Sequence, residues 1–439
     1  MNKLTHWINN LIRHPFVVDT SVLGVGTFFN TGLGAIFSII LARLLGPEQF
    51  GLYALVFSLA GLIGIFLDVG AGYGTLTLFA EAYAKKDKEE IQNILSYFLK
   101  ISFIIIFSTG LIGFIIAPSL SAFLYNNAHI GQYLRFVLVA GFLGFSFSLT
   151  SIALQVIRKI KKLTILESAN KILFVVIPTA LLFAGYGLIG VFAGQLASVL
   201  LMGIVSLVIY VHLAKKDPLL PSFLEIVNNL KQVSIKKYFN FGFLIAVDKN
   251  FAELYKILPI TFLGMFATTS AVAYFKLALS YITLPLLLLK PVSRLLMVQL
   301  PKSKVSGLAN LEKIFWKVSL YSGFLTIGIL IPVLILTPFL IIIFYGQDYS
   351  PAVKIAYPLA LYTIMAGFAV GIGSILRTLN KVEIGIKVNF FVILLSAPIV
   401  FYSIKYYVVS GTIFAVIALE FIPLVIVFYL LHRYFRTEK

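Results

Sequence analysis

About twelve stretches of apolar residues, each long enough to cross a lipid bilayer, fill this chain from end to end. They fall near 20–42, 49–70, 93–116, 133–156, 164–184, 190–213, 238–262, 268–289, 314–337, 352–376, 383–404 and 409–431. A spanning helix needs about 20 mostly apolar residues, because hydrocarbon offers its backbone no other hydrogen-bond partner. An outer-membrane barrel shows alternating segments of about ten residues instead, so that architecture is excluded. A soluble enzyme is excluded too. Only 12% of the residues are charged, about half the usual share for soluble domains, which is near 25%. The 35 Lys and Arg and 17 Asp and Glu cannot cover the two or three soluble domains that 439 residues would make. The chain has no cysteine, so disulfide frameworks and thiolate metal sites are absent.

Positive charge gives the orientation. With the N-terminus inside, 25 of the 35 Lys and Arg fall in inner segments. The outer segments hold only Arg43, Arg135, Lys354 and Lys405. Inner loops collect these residues because they resist translocation. The net charge of +18 is therefore read as a topology signal and not as nucleic-acid binding. No small-residue cleavage site follows the first span, so it reads as an uncleaved anchor. Before it, Leu4, Trp7, Ile8, Leu11 and Ile12 make one apolar helical face. An interfacial helix lying flat on the inner leaflet is expected over 4–14.

The chain also repeats itself. Pro118 and Tyr125 match Pro338 and Tyr345; Arg158, Lys162 and Asn170 match Arg377, Lys381 and Asn389; Arg135 pairs with Lys354 and Pro178 with Pro398. The offset between partners is the same to within one position for every pair. Each half then carries six spans, and an even number returns the chain to its starting side, so the halves are parallel repeats. The expected fold is an all-α polytopic membrane protein, with about twelve transmembrane helices in two six-helix lobes around a central cavity. The lobes are 1–213 and 238–439, joined by a cytoplasmic linker over 214–237. In that linker Ser222 and Glu225 have capping-box spacing, and Phe223, Val227 and Leu230 give one apolar helix face, so a second interfacial helix linking the lobes is expected there.

Enzyme constellations are missing. Gly185, Gly187 and Gly190 match the dinucleotide pattern G-x-G-x-x-G, but that pattern needs a strand before it. Here it joins two spans and reads as a tight outer turn. No P-loop is present, and the five histidines lack ligand spacing. Ionisable residues within spans are more informative, because they are costly in hydrocarbon and face a bundle interior or a wet cavity. Span seven carries Asp248, Lys249, Glu253 and Lys256; span eight carries Lys276 and Lys290. Lys249, Glu253 and Lys256 share one helix face. They form either mutually neutralising pairs or a cationic patch suited to an anion such as phosphate. Glu167 and Lys171 are spaced as an i, i+4 pair, read first as a snorkelling interfacial pair. In the first lobe Arg43 ends span one and Asp68 lies near the end of span two; Glu420 sits midway along span twelve. Asp248 and Glu420 are the candidates for carrying a coupling ion.

The run Leu41-Ala42-Arg43-Leu44-Leu45-Gly46-Pro47-Glu48-Gln49-Phe50-Gly51-Leu52-Tyr53-Ala54, followed by Asp68-Val69-Gly70, resembles the opening of bacterial and archaeal polysaccharide flippases. These are the O-antigen-type members of the multidrug/oligosaccharidyl-lipid/polysaccharide exporter superfamily. Span count, the six-plus-six repeat and Tyr345-Gly346-x-x-Tyr349 extend the resemblance over nearly the whole chain.

The resemblance implies a carrier, not an enzyme, that moves a polyprenyl-diphosphate-linked oligosaccharide from inner to outer leaflet by alternating access. It further implies a central cationic cavity for the diphosphate. Arg43 and Asp68 match the family's opening pattern, and Lys249, Glu253, Lys256 and Lys276 fit its cavity character. No cofactor is implied beyond coupling to H+ or Na+. The expected partners are the lipid-linked glycan, membrane lipids and polysaccharide polymerase or assembly machinery. The chain is expected to act as a monomer in the plasma membrane, with both termini cytoplasmic. The competing readings are an ion-coupled multidrug exporter, a peptidoglycan-precursor flippase and a membrane polymerase or glycosyltransferase. The exporter of organic cations favours an acid-lined cavity, the precursor flippase usually has fourteen spans, and the enzyme needs a larger outer domain than these short loops supply.

Overall fold

The computed structural model describes residues 15–305 and 307–437; the helix expected over 4–14 lies outside the described residues. The described chain is helical throughout. Its elements are α1 (Pro15–Leu67), α2 (Ala71–Ala84), α3 (Lys88–Tyr125), α4 (Ala128–Leu143), α5 (Phe145–Val156), α6 (Ile160–Leu181), α7 (Gly187–Lys216) and α8 (Phe223–Asn228). Then follow α9 (Ile235–Phe266), α10 (Thr269–Ile282), α11 (Lys290–Val305), α12 (Leu308–Tyr345), α13 (Ser350–Phe368), α14 (Ile372–Thr378) and α15 (Val382–Thr437).

Several elements are longer than one span, and backbone breaks divide them where the apolar runs end. Helix α1 covers 53 residues and breaks at Gly46, with φ +72° ahead of Pro47. Helix α15 covers 56 residues and breaks at Val408, with φ +48°. Between α6 and α7, Gly185 and Gly187 both hold positive φ, +89° and +56°. Only glycine adopts such angles without a Cβ penalty. A Cβ on Gly190 would come within 2.6 Å of the Tyr186 side chain. All three glycines of the nucleotide-like pattern thus serve the turn. Among the described residues eight helical stretches are long and apolar enough to cross a membrane. The breaks at Gly46, Gly185–Gly187 and Val408 divide three of them, and α9, which carries the charged run, completes the roughly twelve spans expected.

The repeat is visible in the backbone itself. Helices α3 and α12 are both 38 residues long. They start at Lys88 and Leu308, which keeps the offset of the sequence matches. The left-handed residues Lys86, Asn126 and Arg158 find Gly307, Gly346 and Asn380 at nearly the same offset. These six positions end or begin helices at matching places in both halves. Large apolar side chains face outward, Ile335 at 72% exposure and Leu395 at 69% among them. A soluble monomer rarely shows such surfaces over a wide area, whereas lipid covers them at no cost.

Contacts divide the chain into two compact units. One contains residues up to Leu41, Ile63–Pro118 and Gly131–Ala246; the other contains Ala42–Leu62, Ser119–Ile130 and Val247–Lys439. The linker packs inside the first unit. Ser222 begins α8 through a complete capping box with Glu225, as its spacing predicts. The buried face differs from the expected one. Ile226 is fully buried while Val227 is exposed, because the helix is only six residues long and docks through its backbone. Ser96 donates to the Ile226 carbonyl at 3.0 Å, Lys100 to that of Val233 at 2.9 Å, and Asn229 to the Asn93 side chain at 2.8 Å. Lys237 pairs with Glu90 at 2.8 Å. That hydrogen bond holds the Lys237 ammonium above the ordinary lysine range.

Candidate functional site

In the second unit, α9 presents the charges that the sequence singled out. Lys249 and Lys256 are exposed and Glu253 is half-buried. The Lys256 ammonium lies 3.1 Å from a Glu253 carboxylate oxygen, an i, i+3 pair open to solvent. Such a pair is worth little, so Lys256 can exchange it for another anion at small cost. Lys276, on α10, is half-buried and feels the Lys256 charge. Two ammonium groups from different helices therefore repel each other, with the weakly held Glu253 carboxylate beside Lys256. The side chain of Asp248 lies outside the described residues.

Behind Lys256 a cavity of about 410 Å³ opens within the unit. Its polar lining comes from Tyr255, Lys256, Tyr362, Asn389 and Glu420, set among Leu279, Val416, Leu419 and Leu424. The Tyr255 hydroxyl donates toward Asn389, 3.2 Å from its carbonyl oxygen and 3.3 Å from its side-chain oxygen. Glu420 accepts no hydrogen bond among the described residues, and the charge acting on it is that of Lys256. The walls offer a carboxylate, an amide and two hydroxyls, an oxygen set suited to a hard cation or a proton. Among the described residues no three His, Asp or Glu side chains gather in a metal-binding group.

The first unit has its own cavity of about 340 Å³, lined by Asp68, Ser102 and Ser148 with Leu67, Phe98, Ile101 and Phe145. Asp68 sits at the end of its span, as expected: α1 stops at Leu67, and after a break at Asp68–Gly70 the chain continues as the separate helix α2. One carboxylate oxygen accepts the Gly70 N–H at 3.0 Å, where φ is +79°. A Cβ on Gly70 would collide with the Gly242 carbonyl oxygen.

Arg43 lines neither cavity. Its guanidinium donates to the Ile343 carbonyl at 2.9 Å, and the Tyr349 hydroxyl donates to the Ala42 carbonyl at 2.9 Å. The opening motif and the Tyr345–Tyr349 loop thus lock together, and the rings of Phe50 and Tyr349 meet edge to face. Glu167 and Lys171 form no ion pair with each other among the described residues, which corrects the expected pair. The Lys171 ammonium packs over the Phe174 ring at 5.4 Å, and it abuts Gly34. Tyr255 and Tyr362 were not legible as site residues, and Asn389 was legible only as a repeat match. Tyr255 neighbours Lys256 in sequence, which was the one available signal.

These features define a polytopic membrane protein with long paired helices and polar groups enclosed within its bundles. The chain belongs to the family described as polysaccharide biosynthesis protein, whose model matches residues 16–296. Solved structures share the fold at low identity. An inward-facing multidrug resistance MATE family transporter of the MOP superfamily superposes with a TM-score of 0.79 at 14% identity, covering 93% of this chain and 95% of that one. A MOP superfamily transporter from Pyrococcus furiosus Vc1, described as having a binding pocket of reverse polarity, gives 0.67 at 15% identity over 97% of both chains. An outward-facing MATE family transporter gives 0.68 at 14%, over 98% of both. Curated protein sequences yield no match.

Proposed function

We infer that this transporter is a flippase, moving a polyprenyl-diphosphate-linked oligosaccharide from the cytoplasmic to the outer leaflet by alternating access of its two lobes. The observation that carries the reading is that Lys256 and Lys276, on separate helices, repel each other, with Glu253 in a loose pair with Lys256 and Glu420 lining the same cavity as Lys256. A diphosphate would relieve that repulsion and replace Glu253. Exposed Lys249 on the same α9 face extends the patch. A diphosphate with several sugars cannot cross hydrocarbon alone, since unpaired charge there costs many kcal/mol.

The 410 Å³ cavity has the size of a small-molecule pocket and is too small for such a cargo. Its role in this reading is coupling: Glu420 takes up H+ or Na+ and the cargo headgroup engages the lysines. The orientation follows the positive-charge bias, with both termini in the cytoplasm of a plasma-membrane protein. The product side would hand its glycan to a polymerase or assembly system. The second reading, an ion-coupled exporter of small molecules, draws on the same Glu420 cavity.

Extraction of polyprenyl-linked sugars from cells lacking the gene separates the two. Build-up of polyprenyl-diphosphate oligosaccharide with loss of surface glycan supports the flippase; unchanged lipid and glycan pools support the exporter. Complementation with the Lys249→Ala/Lys256→Ala double variant should leave the protein in the membrane and export abolished. Full export by that variant would remove the lysines from cargo binding.

A further inference from the structure

The inner end of α15 carries a second cationic feature that the transport reading does not use. The two spans of α15, before and after Val408, enclose a cleft of about 500 Å³ lined by Lys381, Glu383, Lys387, Arg433 and Tyr434. All three cations are exposed. Lys381 sits over the Tyr434 ring at 5.9 Å, and Lys387 reaches Glu383 at 3.5 Å in a pair that is largely open to solvent. Arg433 has no ion-pair partner among the described residues. Three cations thus face one carboxylate that is weakly engaged.

Lys387 also lines an apolar groove of about 380 Å³, whose other walls are Val388, Phe391, Leu395, Ile399, Ile422 and Ile426, so the cleft and the groove meet at this residue. On one span the groove follows residues 388, 391, 392, 395, 396 and 399, and on the other 422 and 426, so each wall is a single helix face. From Lys387 to Ile399 the helix rises about 18 Å. Half of a typical hydrocarbon core is about 15 Å. The groove is therefore deep enough for one leaflet's acyl chain, with the cations at headgroup level. Basic clefts between spans at the cytoplasmic face suit anionic headgroups for this reason.

We propose that Lys381, Lys387 and Arg433, with the α15 groove below them, form a binding site for an anionic phospholipid of the inner leaflet. The phosphate sits among the three cations and one acyl chain lies along Phe391, Leu395 and Ile399. The occupant is a resident membrane lipid and not the transported carrier lipid, since the site shares no lining residue with the cavity of Lys256 and Glu420. It depends on the orientation given above and not on the identity of the cargo.

Native mass spectrometry of the full-length protein, offered dioleoyl phosphatidylglycerol or dioleoyl phosphatidylethanolamine, tests this. Phosphatidylglycerol should be retained over phosphatidylethanolamine by at least about tenfold, and the Lys381→Ala/Lys387→Ala/Arg433→Ala variant should lose that preference. The Lys85→Ala/Lys86→Ala/Lys88→Ala variant, with equal charge removed elsewhere, should keep it. If the first variant does not fold, the single Arg433→Gln variant provides the readout, with a weaker loss in the same direction. Equal retention of both lipids would overturn the proposal, as would full preference in the cleft variants. Displacement of phosphatidylglycerol by an equal concentration of a polyprenyl diphosphate would also overturn it, reassigning the cleft to the carrier lipid.

Discussion

The two cavities lie in equivalent halves of a duplicated chain, and they treat a half-buried carboxylate in opposite ways. In the N-terminal half, Asp68 turns back on its own backbone and accepts the Gly70 N–H, so the acid helps to shape a helix break. In the C-terminal half, Glu420 lies in an unbroken stretch of α15 with no hydrogen bond among the described residues, lining one cavity with Tyr255, Tyr362 and Asn389. The matching break of the second half, over Leu284–Leu289, uses Pro285 in a 3-10 turn and has no carboxylate. Duplication therefore supplied two similar bundles, and the acid works on geometry in one and stands open to a ligand in the other. Open acids in a membrane interior are costly and are kept for function.

The sharpest way to break this comparison is to neutralise each acid without changing its shape. Glu420→Gln should reduce transport to background while the protein still reaches the membrane, measured as surface glycan in complemented cells. Asp68→Asn keeps an oxygen for the Gly70 N–H and should transport nearly normally. The reverse pattern would place the coupling group in the N-terminal half. The next largest effect concerns the break itself. Gly70→Ala forces a left-handed alanine, costing about 1–3 kcal/mol, before its Cβ meets the Gly242 carbonyl. The variant should accumulate poorly. Gly72→Ala, with nothing near its Cβ, should melt at or above the parent temperature in detergent. A smaller effect is expected in the other cavity, where Tyr255→Phe removes one hydrogen bond to Asn389. A loss of about 1 kcal/mol in thermal stability is the expected scale.

Much of the fold was legible because a membrane narrows the choices. Apolar runs set the spans, and the glycines at 46, 185 and 187 fall where the runs stop. Repeat matches chosen on Pro118, Tyr125 and Asn170 agree with helix limits that recur at the same offset in the second half. Helix ends were less legible: the apolar runs gave no sign of the separate helix Ala71–Ala84 after the Asp68–Gly70 break, whose C-terminal end carries the solvent-exposed Glu81–Lys85 pair. The site was legible only as a set of charges. Sequence placed Glu253 and Lys256 on one face, but it could not bring Glu420 to them from the far end of the second half. Arg43 lines neither cavity; its hydrogen bond to the Ile343 carbonyl, beside that of Tyr349 to Ala42, is a long-range contact that spacing along the chain does not reveal.

The smallest expected effect asks whether the linker is part of the N-terminal unit or an independent strap. Ser222 and Glu225 cap α8 reciprocally, with Glu225 accepting from the Ser222 N–H at 2.6 Å and donating its own N–H to Ser222 at 3.2 Å. That backbone hydrogen bond from Ser222 holds the Glu225 carboxyl below its ordinary range. A depressed acid contributes stability above its unfolded value and loses it as pH falls through the folded one. Local protection of the α8 amides should therefore be steady at neutral pH and decline only on acidification below the usual carboxylate range. Ser222→Ala should cost about 0.5–2 kcal/mol of local stability. Because Ser96, Lys100 and Asn93 still grip residues 226–233 from α3, amide exchange should quicken only near Ser222 and Glu225. Fast exchange spreading to Val233 would mean that the cap, and not the α3 contacts, keeps the linker on the N-terminal unit.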